Sequence, residues 1–249
     1  MERREFQTPY GVVPLWGAFE AFDAGRPLVV GILGAFAIER GSLFHVPPHI
    51  PGADMVVGHL PGNHTPALSA ASVQIYSAAF SHVIATEFAG RRVVSLGASI
   101  GGLVVLGLTA PQIVRSVVME PVLTTAKLWP LIPFMRGRLQ AAPDDRVLAD
   151  FIEGVFGLGA NGLVDRRYED LLERLAVPTR VIVGGQPLYP QRPVQKLPSL
   201  VDEPERELLR RHPLIDYSVA QQAGHNVPQE ASGEMLAALR AAIAEAAAT

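Results

Sequence analysis

Cysteine is absent from the 249 residues. Disulfide staples, thiolate nucleophiles and cysteine metal sites are therefore excluded, while the redox compartment stays open. Charge is sparse as well: 21 basic and 24 acidic residues leave a net charge of −3, and no Lys/Arg run stands out. Nothing recommends a nucleic-acid partner. The N-terminal Met1-Glu2-Arg3-Arg4-Glu5 is charged and no signal-type apolar block follows it, so a cytoplasmic protein is expected. Residues 93–114 carry no charge and are long enough to span a bilayer. However, Gly97, Gly101, Gly102, Gly107 and Pro111 interrupt them, and a strand, a tight turn and a buried helix explain the stretch better than one membrane span. What remains is apolar: 49% of residues are hydrophobic and the mean hydropathy is +0.23, ample for a buried core. A chain of this length suggests one domain with an insertion rather than two equal domains.

Along the chain, residues 6–22 read as a hairpin broken near Gly11, and Asp23-Ala24-Gly25-Arg26 as a turn. Leu28-Val29-Val30-Gly31-Ile32 is continuously apolar, the pattern of a strand buried on both faces. A long loop over 37–52 holds Pro47, Pro48 and Pro51, and Met55-Val56-Val57 is the next strand. Residues 69–88 place Val73, Tyr76, Phe80, Val83 and Ile84 on one helical face. A strand over 92–96, a helix up to Pro111 and a strand over 114–119 follow, and this alternation implies a mostly parallel sheet flanked by helices. The rhythm breaks between Pro121 and Pro178, where helix-like runs at 146–156 and 167–175 suggest a helical insertion over the sheet edge. Strands at 179–184 and 216–219 and helices at 204–212 and 232–246 complete the chain.

The sharpest local signal is Gly97-Ala98-Ser99-Ile100-Gly101, between the apolar Arg92-Val93-Val94-Ser95-Leu96 and the helix-like Gly102-Leu103-Val104-Val105-Leu106. Gly-x-Ser-x-Gly in a strand–turn–helix context is the nucleophile-elbow pattern. The flanking glycines free a tight turn from Cβ obstruction, and the turn lifts the serine hydroxyl above the strand end. It also aims the first helical amides at whatever the hydroxyl attacks.

A serine needs a base, usually histidine. His225, in Ala223-Gly224-His225-Asn226-Val227-Pro228, occupies the loop after the last strand and before the terminal helix. His59 and His64 fall in a loop that could border a pocket; His45 and His49 flank a Val-Pro-Pro segment that cannot be a regular helix, so they are no helical ligand pair; His82 and His212 read as solvated. No metal-type cluster is visible. The third member should be a carboxylate that fixes the imidazole tautomer. After the 179–184 strand the chain reads Gly184-Gly185-Gln186, with no acid until Asp202, whereas Glu120 directly ends an apolar strand. A buried glutamate there is costly unless paired, so Glu120 is preferred and Asp202 kept as the alternative. Ile100 N–H is one expected oxyanion donor, and Ala35 N–H, from the loop Leu33-Gly34-Ala35-Phe36, the other.

In this order, the Leu33-Gly34-Ala35 loop, His59-Leu60-Pro61-Gly62, the Ser99 elbow, a helical insertion and Gly224-His225 resemble the α/β-hydrolase family over nearly the whole chain. Members commonly carry His-Gly where Leu33-Gly34 stands and Asp-Leu-Pro-Gly where His59-Leu60-Pro61-Gly62 stands; both departures remove polar groups that stiffen the oxyanion loop. An acid at Glu120 looks like the subset that carries it after the sixth strand, as many haloalkane dehalogenases do. Those use an aspartate nucleophile where this chain has Ser99, so halide chemistry is not implied. The resemblance implies a single α/β-hydrolase domain over 1–249, with 122–177 as a helical cap. It implies a serine hydrolase acting on a small-molecule carboxylic ester or thioester, with no cofactor and no metal. The expected pocket is Gly34, Phe36, Leu123 and Trp129, with Leu128, Phe134 and Met135 nearby. Acyl transfer, lyase or cyclisation chemistry on the same scaffold stays open, as does a non-enzymatic binding role. Fold alone does not choose among them, and the oligomeric state is open too.

Overall fold

The computed structural model describes residues 2–37, 50–188 and 196–249; His45 and His49 lie outside the described residues. Strands β1 (Glu2–Thr8) and β2 (Gly11–Gly17) form the expected N-terminal hairpin, with Gly11 at a φ of +130° in the turn. Then come β3 (Leu28–Ile32), β4 (Asp54–Gly58), helix α1 (Val73–Glu87), β5 (Val93–Ala98), α2 (Ile100–Leu106) and β6 (Ile113–Met119). Residues 122–177 carry a 3₁₀ helix (Thr125–Leu131), α3 (Ile132–Ala141), α4 (Arg146–Phe156), the two-residue strands β7 (Leu158–Gly159) and β8 (Gly162–Leu163), and α5 (Asp170–Glu173). The chain ends with β9 (Thr179–Gly184), α6 (Glu203–Arg211), β10 (Ile215–Ala220), α7 (Val227–Glu230) and α8 (Ser232–Ala248). No helix of the described residues is long and apolar enough to cross a membrane.

Eight strands make one sheet in the order β1-β2-β4-β3-β5-β6-β9-β10. β1–β2 and β2–β4 pair antiparallel, and every pair from β4 to β10 is parallel. The mostly parallel sheet flanked by helices is thus the observed architecture. Period-two alternation sends neighbouring strand residues into different cores. Leu28, Val30, Ile32 and Val118 join the core under α1 and α2. Val29, Val94, Val117 and Met119 join the core under α8, which presents Met235, Leu239, Ala242, Ile243 and Ala246 at helical spacing. Helix α1 starts where Ser72 Oγ accepts the Ile75 N–H, and it buries the face expected from its sequence.

Three differences from the sequence reading have a local physical cause. Only Asp170–Glu173 of the helix expected over 167–175 is helical. Arg167 instead bridges Thr124, and Tyr168 N–H donates to Leu123 O, so backbone pairing holds its first residues extended. Helix α2 stops at Leu106 rather than Pro111, with the weak helix former Gly107 as its C-cap; a Cβ there would lie 2.5 Å from Ser77 Oγ of α1. Helix α3 was not expected. Pro130 and Pro133 disguise it, yet the first sits in the 3₁₀ helix and the second in the first turn of α3, where a missing N–H costs nothing.

Residues 122–177 bury Met135, Leu148, Phe151, Ile152, Val155 and Phe156 in the core shared with α1 and α2. Two carboxylates moor their start. Asp165 Oδ1 accepts from Thr124 Oγ1 at 2.7 Å and Ala126 N–H at 2.8 Å, and Glu205 Oε1 accepts the Thr124 N–H at 2.9 Å.

Candidate active site

The carboxyl ends of four parallel strands of the sheet, β3, β5, β6 and β10, deliver the residues singled out in the sequence. Leu33-Gly34-Ala35 follows β3, Ser99 follows β5, Glu120 follows β6, and His225 lies beyond β10. This is the edge where open parallel sheets hold their ligands.

Ser99 sits at φ +54°, ψ −125°, a conformation seldom adopted by a residue with a Cβ. The two glycines explain how the turn closes. A Cβ on Gly97 would lie 2.4 Å from Gly101 O, and one on Gly101 would lie 2.4 Å from Ile32 O. Strand, helix and the neighbouring strand end can therefore meet only as bare backbone. Ser99 N–H is fixed to Met119 O at 2.9 Å. As the first residue of α2, Ile100 has an amide with no intrahelical acceptor.

Ser99 Oγ lies 3.0 Å from His225 Nε2, and His225 Nδ1 lies 3.0 Å from Glu120 Oε2. An ionised carboxylate only accepts hydrogen bonds, so the ring proton sits on Nδ1 and the Nε2 lone pair faces the serine hydroxyl. Glu120 is fully buried and itself strained, at φ +48°. Its carboxylate collects three further donors: Gly184 N–H at 2.6 Å and Ser199 Oγ–H at 2.7 Å on Oε1, and Leu200 N–H at 3.0 Å on Oε2. Arg206 Nη2 in turn donates to Ser199 Oγ at 2.9 Å and to Gly184 O at 2.7 Å. The buried charge is thus hydrogen-bonded on every side, the condition for keeping it there.

Asp202, the alternative acid, is used elsewhere. It caps α6 by accepting the Glu205 N–H and pairs with Lys127. Gln186 donates from its side chain to Gln221 O at 2.6 Å. Ser199, Leu200 and Gly184 were not foreseen, and two of the three act through backbone amides, which leave no mark on residue type.

A cavity of about 410 Å³ opens above Ser99 and His225. Gly34, Ala35 and Phe36 form one wall; Leu131, Phe134 and Phe156 from residues 122–177 form another, and Asn226 and Gln229 a polar rim. Asn226 Nδ2 donates to Gln229 Oε1 at 2.6 Å. Two expected pocket residues are corrected. Leu123 is fully buried in the core, and Trp129 is 54% exposed; neither lines the cavity. For Trp129 the cause is the 3₁₀ helix, whose three-residue repeat turns Thr125 and Leu128 into the core and Leu131 toward the cavity, with Trp129 one step out of phase. Leu128 and Met135 are likewise core residues. His59 is buried against the edge of Trp16, and neither it nor His64 lines the cavity. His82 and His212 are half-buried rather than solvated, and His212 Nδ1 accepts the Leu214 N–H at 3.2 Å. Among the described residues no cluster of three or more His, Asp or Glu side chains is placed to hold a metal ion.

Phe36 anchors the loop wall at φ +60°, an outlier for an aromatic residue. Its ring stacks on Phe156 at 5.5 Å and meets Phe134 and Phe151 edge-on at 5.2 and 5.7 Å. Arg138 lies over it, 5.7 Å from the ring centre. A backbone outlier costs about 1–3 kcal/mol and each aromatic pair contributes about 0.5–1.5 kcal/mol, so three rings suffice to hold it.

No protein-family model matches the sequence, and no curated protein is similar to it. Solved structures are. A thermophilic esterase from Thermogutta terrifontis, malate bound, has 17% identity and a TM-score of 0.66 over 99% of both chains. The thioesterase domain from the curacin biosynthetic pathway has 15% identity and a TM-score of 0.57, over 95% of this chain and 98% of that one. A carboxylesterase from Bacillus subtilis has 14% identity and a TM-score of 0.62, over 96% and 92%. Strand order, elbow and these likenesses agree: the chain has the α/β-hydrolase fold.

Proposed function

We propose that the protein hydrolyses a carboxylic ester or thioester through an acyl-enzyme on Ser99. The observation that carries this reading is the unbroken line from Ser99 Oγ to His225 Nε2 and from His225 Nδ1 to Glu120, with both distances 3.0 Å. Ser99 attacks the carbonyl carbon while His225 takes its proton, and Glu120 stabilises the imidazolium. The amides of Ile100 and Ala35 receive the developing oxyanion. His225 returns the proton to the departing alcohol or thiol, then activates water to release the acid. No cofactor enters the scheme.

Residues 122–177 act as a cap in this reading. Leu131, Phe134 and Phe156 give the cavity an apolar wall suited to an acyl chain or aryl group. Its volume of about 410 Å³ sits low in the range of about 300–1,000 Å³ typical of ligand pockets, which favours a small substrate. The neighbours named above are an esterase, a thioesterase domain and a carboxylesterase, which supports the bond class.

The test is steady-state hydrolysis of short-chain p-nitrophenyl esters. The wild type should turn over p-nitrophenyl butyrate, and Ser99→Ala should lose about 10³-fold or more in kcat. A Ser99→Ala protein as fast as the wild type would rule the mechanism out.

A further inference from the structure

We infer that Phe36 is a positioning residue, through which residues 122–177 hold the oxyanion donor of Ala35 in place. The inference rests on the hydrolase reading and adds to it a part not needed to write the mechanism. Gly34 and Ala35 offer the loop no more than one methyl group for anchorage. Upstream, Leu33 is buried and its N–H is tied to Gly58 O at 2.9 Å, so that end belongs to the sheet. Downstream, the next side chain is Phe36, held in the left-handed region at φ +60°.

Among the described residues, the rings and the cation packed on Phe36 come from residues 122–177: Phe134 and Arg138 on α3, Phe151 and Phe156 on α4. The amide between the two anchors is therefore fixed by the sheet on one side and by α3 and α4 on the other. A strained backbone persists only while its surroundings over-determine it. Loosening the ring cluster frees Phe36 to relax toward negative φ, and the chain direction one bond after Ala35 changes with it. The expected signature is weaker transition-state stabilisation with substrate binding little altered.

Three proteins decide this: the wild type, Phe36→Leu, and Arg138→Gln, which alters no cavity-lining residue. Each is assayed for kcat and KM on p-nitrophenyl butyrate and for inhibition by a butyl trifluoromethyl ketone, whose Ser99 adduct carries an oxyanion. Phe36→Leu should lower kcat about 10- to 100-fold, keep KM within about threefold, and weaken the ketone in proportion to kcat/KM. Arg138→Gln should shift kcat and the inhibition constant the same way by about threefold, and it decides the matter if Phe36→Leu does not fold. A rise in KM at constant kcat, or ketone binding unchanged in both variants, reduces Phe36 to a cavity wall and overturns the inference alone. A wild type that neither hydrolyses the ester nor binds the ketone overturns the hydrolase reading, and this inference with it.

Discussion

Glu120→Gln is the substitution whose consequences the structure prescribes most fully. Four donors converge on the carboxylate, two on each oxygen. A glutamine offers one accepting oxygen and one donating NH₂, so one pair of donors must face hydrogens. If the NH₂ takes the Oε1 position, Ser199 can rotate its hydroxyl to accept, but Gly184 N–H loses its acceptor. If it takes the Oε2 position, Leu200 N–H is orphaned. His225 must then accept at Nδ1, which moves its proton to Nε2, toward Ser99. Either way one buried backbone amide is stranded, at about 1–3 kcal/mol, and charge-assisted bonds become neutral ones. A stability loss of about 2–4 kcal/mol follows, lowering the urea midpoint by about 1 M. Activity suffers from the wrong tautomer or from an unsupported imidazolium, and kcat/KM should drop about 10³- to 10⁴-fold. The assay pairs ester hydrolysis with urea unfolding followed by tryptophan fluorescence at one pH. Asp202→Asn is the control: it keeps a good N-cap, breaks only the Lys127 pair, and should leave kcat unchanged. A Glu120→Gln protein within tenfold of wild-type kcat/KM and with an unmoved midpoint would refute this account of the acid.

Two further outcomes follow from backbone strain and burial. Ser99→Gly, at φ +54°, should abolish turnover while raising stability by about 1 kcal/mol, an increase of about 2–4 °C in Tm by calorimetry; a lower Tm would mean the elbow is not strained. Glu205 is buried, which pushes its carboxyl up from 4.5 to about 7. Between those two values the folded protein holds a proton that the unfolded chain has released, so this group's contribution to stability falls as pH rises through the window and is level above it. Glu205→Gln removes that titration. Its urea-derived stability relative to wild type should therefore improve from pH 5 to pH 8 by an amount on the order of 3 kcal/mol, and parallel profiles would show that the carboxyl is not raised.

What could be read from the sequence was whatever the fold demands of residue type. Gly97 and Gly101 are visible because a Cβ at either position would lie 2.4 Å from a backbone oxygen, so nothing larger fits. Glu120 stands out because a carboxylate ends an apolar strand, and the structure puts it beside His225. Gly184 and Leu200 could not be found, since they contribute main-chain N–H groups that any residue but proline supplies. Ser199 lies in a loop far along the chain, and only tertiary folding brings it to Glu120. Apolar character does not fix direction at Trp129, where a three-residue helical repeat decides which neighbour turns in. The same stretch concealed α3, because prolines read as breakers when their position in a first turn is not yet known.

The most direct test of the central claim is covalent. Wild-type protein treated with a fluorophosphonate and digested should yield a single modified peptide with the adduct on Ser99, formed far more slowly in His225→Ala and absent in Ser99→Ala. Folded wild-type protein that takes up no label, or carries it on another residue, would contradict the account.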